Sequence, residues 1–273
     1  MAFSVDGSGY SRDDLNAIVT GLGKADQVTV RNDAIAGEDM RSFVSAMIRY
    51  QATENVLASL GKSITDADRK AMSPRVLPSL PKDLDGKVID LLVEISTMSA
   101  AIDSLPAPDD AAIQALYESS PASSGFLCVR QITVKTKDQA VEIARKLSDG
   151  AKFTDLVASS STDKASKSNG GAVIGLDNSP CTEVAAADDD ASIGRELAEA
   201  LIDTSLTGNT GAVKDSKGWH VAIHRPWSEI KDAVVSGFSA KPGSTYVSGA
   251  LATADVQLNS VYGTWNRVAA KVE

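Results

Sequence analysis

The stretch at positions 126–225 constrains the fold more than any other part of this chain. It begins with an apolar segment that alternates as a β-strand does, at 126–134, and it ends with a second one at 218–225. Between them lie two segments with helical spacing of apolar residues, a polar loop containing Asn-Gly-Gly at 169–171, and a third helical segment. The order β-α-α-β-α-β-β predicts an α+β domain with a mainly antiparallel sheet.

The part before position 120 is predominantly helical by the same criteria. Apolar residues recur there at helical spacing, and they predict stripes that must pack on one another or on the ends of the chain. We expect Pro74, Pro78 and Pro81 to break this part into a loop. Helices are predicted at 15–22, from 37 to a stop at 61, from a cap at Thr65 with Asp66 and Asp68 behind it, at 84–105, and from a start at 108–110 through Tyr117.

Composition excludes several classes of partner. The 273-residue chain has a net charge of −9 at pH 7, which argues against nucleic acid or an anionic membrane surface, because both require clustered Lys and Arg. No segment approaches the roughly 18 apolar residues of a membrane span.

The first residues carry neither a basic nor an apolar targeting region, so we expect a signal segment to be absent from this chain. Cys128 and Cys181 are either a disulfide or two buried thiols.

Four segments of the central stretch match, in order, the motifs of a known family. They are Arg-Gln-Ile-Thr-Val-Lys at 130–135, the Phe and Ser-Thr-Asp segments within 152–163, the Gly-rich loop at 169–175, and Gly-Trp-His-Val at 218–221. Over these residues the chain resembles the parvulin family of peptidyl-prolyl isomerases. The resemblance implies binding of proline-containing polypeptides without a cofactor.

Three positions of the family's catalytic site decide what activity to expect. Parvulins place two His side chains and a Cys or Asp around an apolar proline pocket. By this resemblance His220 is the closing His, whereas Gln131 stands at the opening His position and Ala172 at the Cys or Asp position. Because the interlocked His-His-acid network cannot form, we expect weak or absent isomerase activity.

The loop at 176–190 lacks the Met and aromatic residues that the family's pocket normally contains. The resemblance therefore assigns peptide contact to Leu176 and Val184 in this loop and to Trp219 in the closing motif.

A metal site is not expected. His220 and His224 lie four residues apart on a predicted strand and share a face, but the chain has only two His in total, and nothing in the sequence places a carboxylate beside them. The three Asp residues at 188–190 lack the spacing and the glycine of a calcium loop, and they suit the N-terminus of a helix.

The resemblance also bears on the two cysteines. Secreted parvulin-like proteins of actinobacterial type often have one Cys just before the first motif and another just after the Gly-rich loop. This implies a disulfide between Cys128 and Cys181, and with it an extracytoplasmic location: secreted, periplasmic or lipid-anchored.

The two ends of the chain resemble the terminal segments of SurA/PrsA-like secreted chaperones, at 3–15 and 254–265. In that family the tail strand pairs with the first strand, which would satisfy the backbone of the lone strand at 3–5. The resemblance predicts a helical SurA-N-like chaperone domain, residues 1–122 plus 227–273, into which a parvulin-like domain, residues 123–226, is inserted.

Three functions fit these observations. The first is a folding factor that holds unfolded or proline-containing polypeptide clients, with a lipid anchor upstream of this chain as one mode of attachment. The second is an active isomerase that uses His220 with Gln131 as a substitute polar group. The third is a structural protein of the envelope that reuses the fold.

Overall fold

The computed structural model describes residues 1–24, 30–31, 34–175, 178–190 and 192–273. Helices and strands together give an α+β chain, as the sequence predicts. Across the described ranges, no helix is both long and apolar enough to cross a membrane. The helices are α1 (Arg12–Lys24), α2 (Gly37–Ser59), α3 (Asp66–Val76), α4 (Gly86–Asp103), α5 (Asp110–Ser119), α6 (Lys137–Ser148), α7 (Phe153–Ser160), α8 (Lys164–Lys167), α9 (Arg195–Ile202), α10 (Trp227–Ala240) and α11 (Pro242–Thr253). The strands are β1 (Phe3–Val5), β2 (Ser8–Tyr10), β3 (Val30–Arg31), β4 (Ala34–Ile35), β5 (Phe126–Leu127), β6 (Val129–Val134), β7 (Thr182–Glu183), β8 (Val213–Asp215), β9 (Gly218–His224), β10 (Val256–Leu258), β11 (Trp265–Asn266) and β12 (Lys271–Val272).

The chain divides into two compact units. The terminal unit contains Met1–Pro106, Ala254–Asn266 and Ala270–Glu273, and the central unit contains Ala107–Thr253 and Arg267–Ala269. The predicted limits differ from these, because they place 107–122 and all of 227–273 with the chain ends.

Helix packing explains the larger central unit. One apolar cluster joins α5 to α10 through Tyr117 and Phe238, and it includes the start of the central strands. Helix α11 packs against the segment that follows α5. The two backbones are so close that a Cβ at Gly249 would lie 2.1 Å from the carbonyl oxygen of Ser123. The sequence pattern shows that such helices have an apolar face but not which partner covers it.

In the terminal unit, the first strand lies between the second strand and the tail. β1 pairs antiparallel with β2 and with β10, so Phe3 is opposite Leu258 and Val5 is opposite Val256. The predicted pairing of the first and last parts of the chain is therefore confirmed. Phe3 is fully buried, and Asn55 of α2 donates a hydrogen bond to the carbonyl of Val5 at 3.3 Å.

Two local predictions for the terminal unit are wrong. Pro74 lies inside α3 and does not end it, because the φ angle of proline suits a helix and only one exposed backbone bond is lost. The second tail strand is displaced: 260–262 form a turn and a bend, and β11 pairs with β12 at the end of the chain.

The central unit is built on a three-stranded antiparallel sheet with the order β6-β9-β8. Helices α6 and α7 cover one face, where Ile132 and Val221 pack with Ile143 and Phe153. The other face packs partly against α9, whose Leu197 contacts the cluster containing Val129 and Ala222. This second face carries the candidate site.

Candidate functional site

Alternation along β6 and β9 brings three of the polar side chains together. Thr133 is directly opposite His220, and Gln131 is opposite Ala222 two residues further along. Residues that face each other or lie two apart point to the same side of a sheet. Gln131, Thr133 and His220 therefore share the face toward α9.

His220 has a partner at each ring nitrogen. The Thr133 hydroxyl oxygen lies 3.2 Å from Nδ1, and an oxygen of the Asp215 carboxylate lies 2.7 Å from Nε2. The approach to Asp215 does not meet the geometry of a standard hydrogen bond, but its distance is that of a charge-assisted contact. The expectation that no carboxylate lies beside His220 is thus wrong, because β8 folds back on β9 and carries Asp215 to the ring.

Asp215 is held in place by the hairpin that it starts. Its Oδ1 accepts hydrogen bonds from the backbone N–H groups of Lys217 at 2.7 Å and Gly218 at 3.0 Å. Gly218 has φ +147°, and a Cβ there would lie 2.8 Å from the carbonyl oxygen of Val134. Burial raises the pKa of the Asp215 carboxyl, but the contact with His220 and the two backbone N–H groups together bring it below its ordinary value. The short Asp-Ser-Lys-Gly turn was the sequence signal that could have identified this residue.

A second buried carboxylate, Asp190, supports the Gln131 side of the face. It accepts hydrogen bonds from Thr182 Oγ1 at 2.9 Å and from the Ser192 N–H at 2.7 Å and hydroxyl at 2.5 Å. Although burial raises the pKa of Asp190, these donors bring it below its ordinary value. The Ser192 carbonyl in turn accepts from Gln131 Nε2 at 3.3 Å, while Gln131 Oε1 is buried and has no partner in the described part of the chain.

Ala172 does not join this group. It forms an antiparallel bridge with Arg130, flanked by hydrogen bonds from Gln131 N to Gly171 O and from Val173 N to Val129 O. Bridge partners share a face, and Arg130 points to the side opposite Gln131. Ala172 therefore lies on the α7 side of the sheet, away from His220.

The residues predicted to contact peptide are not brought together either. Val184 is fully buried in the core cluster beside Leu197. Trp219 lies on the opposite face of β9 from His220, with the Nζ atoms of Lys137 and Lys214 at 5.8 and 5.7 Å from its ring centroid. Leu176 is outside the described residues.

A comparison with family models assigns this region. Residues 128–223 match the model of the PPIC-type PPIASE domain. The central part of the chain is a PPIC-type PPIASE domain. This agrees with the resemblance drawn from its motifs, and the match includes Gln131, Asp215 and His220.

Comparison of the whole chain with solved structures finds folding proteins at low similarity. PrsA from Bacillus subtilis is 18% identical, with 78% of this chain and 85% of that chain covered and a TM-score of 0.31. The foldase protein PrsA from Streptococcus pneumoniae is 14% identical, with 91% and 90% covered and a TM-score of 0.31. A SurA-like chaperone from Campylobacter jejuni is 18% identical, with 80% and 92% covered and a TM-score of 0.28. No curated protein sequence matches the chain significantly. The assignment of the PPIC-type domain rests on the family model alone.

The polar face of the PPIC-type domain is enclosed. His220 is 2% exposed, and Gln131 and Thr133 are each 7% exposed. A prolyl ring that reached His220 would therefore have to displace the side chains that cover it.

The histidines of the PPIC-type domain are not grouped with further ligands in the part of the domain that the structure describes. Among the described residues, no three His, Cys, Asp or Glu side chains are grouped as metal ligands. His224, on the same face of β9 as His220, is buried, and its Nε2 lies 3.0 Å from the carbonyl oxygen of Leu201 in α9. Burial lowers the pKa of His224 below its ordinary value.

A disulfide joins Cys128 to Cys181, as the resemblance implied. Both residues are buried, and they pack in the same cluster as Tyr117 and Phe238. The bond ties the beginning of the PPIC-type domain to the segment that follows its Gly-rich loop.

Proposed function

We propose that this chain is an extracytoplasmic folding factor that binds unfolded or proline-containing polypeptides and whose PPIC-type domain has weak or no isomerase activity. The observation that carries the proposal is the enclosed His220, 2% exposed, with Gln131 in place of a second His. A domain that retains the fold of an isomerase but closes its polar face is better suited to binding than to turnover.

The chemistry of the reaction supports weak activity. Prolyl isomerisation is rotation about an amide bond with a barrier of about 18–20 kcal/mol. An enzyme accelerates it by binding the twisted amide more tightly than the planar one. This requires the proline to reach the polar groups, whereas His220 is only 2% and Gln131 only 7% exposed.

The disulfide supports the proposed location. Disulfides persist in secreted, periplasmic and cell-surface proteins and are rare in the cytosol. The Cys128–Cys181 bond is buried and belongs to the core of the central unit, so we infer that the chain folds in an oxidising compartment. Attachment through a lipid anchor upstream of this chain is part of the same proposal.

A pair of assays tests this function. The first measures suppression of aggregation of a chemically denatured client at stoichiometric amounts of this chain. The second measures acceleration of cis–trans exchange in a short proline-containing peptide. We expect clear suppression and little acceleration; failure to suppress aggregation of any of several clients would contradict the proposal and favour a structural role.

The second candidate is an active isomerase, and the contacts of His220 with Thr133 and Asp215 favour it. Substantial acceleration by the wild-type chain that His220→Ala abolishes would establish it and refute the binding-only function. His224→Ala is the matched control, because His224 is equally buried on the same strand and face but its Nε2 lies against the backbone carbonyl of Leu201 instead of a carboxylate. Circular dichroism of both variants separates loss of chemistry from loss of fold.

A further inference from the structure

We propose that Asp215, carried by the β8–β9 hairpin, is the positioning residue for His220 and gives the face of the sheet that carries His220 a carboxylate. The inference rests on the proposed function in one respect: it assigns the isomerase chemistry of the PPIC-type domain, however weak, to the face of the sheet that carries His220. Asp215 itself acts through the imidazole ring and not on the peptide.

Hydrogen-bonding capacity fixes the arrangement of protons. An ionised carboxylate can only accept, so the Asp215 oxygen at 2.7 Å places the proton of a neutral imidazole on Nε2. Nδ1 is then an acceptor, and the Thr133 hydroxyl at 3.2 Å donates to it. Thr133 and Asp215 therefore contact opposite nitrogens of the ring, the first at Nδ1 and the second through a close charge contact at Nε2.

The carboxylate is preorganised by the backbone. The N–H groups of Lys217 and Gly218 donate to the same Asp215 oxygen that approaches His220. Rotating the carboxylate away from the ring would break both of these turn bonds. The hairpin thus holds Asp215 against His220 independently of any ligand, which is what a supporting residue of a site requires.

The chemistry of isomerisation suits a fixed ring. Rotation about the amide breaks no σ bond and transfers no proton, so His220 need not exchange its proton during the reaction. Its contribution depends on orientation and polarity, and Asp215 and Thr133 determine both.

Substitution of Asp215 by Asn tests the charge without removing the turn. The amide oxygen of Asn can still accept from Lys217 and Gly218, so a purely structural role predicts no change in Asp215→Asn. Asp190→Asn is the matched control, because Asp190 is the other buried carboxylate of the central unit and is bonded to Thr182 and Ser192.

Histidine NMR gives a readout that does not depend on activity. The chain has two His, so a ¹⁵N-histidine sample has two imidazoles and His224→Gln assigns them. We expect the proton of His220 on Nε2, with its resonance strongly downfield. Asp215→Asn should move that resonance upfield, while Asp190→Asn should leave it in place.

Kinetics give the second readout. We expect Asp215→Asn to lower kcat/KM for a proline-containing peptide about tenfold, the scale at which positioned polar groups act in catalysis. Thr133→Val should lower it as well, and Thr133→Ser, which keeps the hydroxyl, should restore it. A proton on Nδ1 of His220, or a folded Asp215→Asn variant with an unchanged His220 resonance, would overturn the inference.

The two proposals can fail separately. A wild-type chain without measurable isomerase activity, but with the expected His220 resonance and its shift in Asp215→Asn, supports the positioning by Asp215. A wild-type chain that suppresses client aggregation with little acceleration of isomerisation, but carries the His220 proton on Nδ1, overturns the positioning and leaves the proposed function standing.

Discussion

Removal of the Cys128–Cys181 disulfide should destabilise the central unit by about 4 kcal/mol. The two cysteines are separated by 53 positions, and closing a loop of this length removes roughly that much chain-entropy free energy from the unfolded state. Both cysteines are buried among aromatic and aliphatic side chains. The double substitution Cys128→Ala with Cys181→Ala therefore adds a smaller packing loss to the loss of the crosslink.

Denaturant unfolding followed by Trp fluorescence measures this effect, because Trp219 and Trp227 both lie in the central unit. Oxidised wild type, reduced wild type and the double alanine variant should be compared. The reduced protein has the native side chains, so its loss of stability isolates the crosslink from packing. A loss below about 1 kcal/mol in the reduced protein would refute the reasoning, since it would lie within the range of an ordinary point substitution.

Four further substitutions have defined outcomes. Phe3→Ala should lower the unfolding free energy of the terminal unit by about 3–5 kcal/mol, because the side chain is fully buried; denaturant unfolding checks this. Thr65→Ala should cost about 1 kcal/mol by removing the capping box formed with Asp68, and Thr65→Ser should retain most of it in thermal melts. His224 has a pKa below its ordinary value, so its proton binds more readily after unfolding and the central unit should lose stability as the pH falls below about 6.5. His224→Gln should flatten that pH dependence, and identical pH profiles would contradict the assignment. Gln131→Met should change stability by less than about 1 kcal/mol, because removal of a buried amide oxygen without a partner offsets loss of the hydrogen bond from Nε2 to the Ser192 carbonyl; a larger loss in denaturant unfolding would contradict this.

Much of the fold was predictable because it is encoded locally. Alternation and helical periodicity identified the strands β6 and β9 and the helix α6, whose Thr136 forms a capping box with Gln139. The lone strand at the amino terminus required a partner, and the tail supplied one. The match of the central motifs also gave the correct family for residues 128–223.

Features that depend on non-local packing were not predictable. The limits of the two units depend on which helices pack against α5 and α11. An apolar face predicts that a helix is covered, but not which element covers it. The side of the sheet that Ala172 occupies depends on its bridge to Arg130, and a difference of one residue in register reverses it. The contact of Asp215 with His220 is different, because the local hairpin between β8 and β9 creates it and the Asp-Ser-Lys-Gly turn at 215–218 indicates that hairpin.

The polar face of the PPIC-type domain also weighs against a purely structural role for this chain. Burying Gln131, Thr133, His220 and two carboxylates is costly unless every polar group is hydrogen-bonded. Neighbouring groups satisfy most of them, but Gln131 Oε1 has no partner in the described part of the chain. Apolar side chains of similar volume can replace such a buried polar network without loss of stability, and often with a gain. A domain that served only as a scaffold would therefore gain from an apolar face, so a neutral or stabilising Gln131→Met combined with weaker peptide binding would mean that the face is polar for the sake of its ligand.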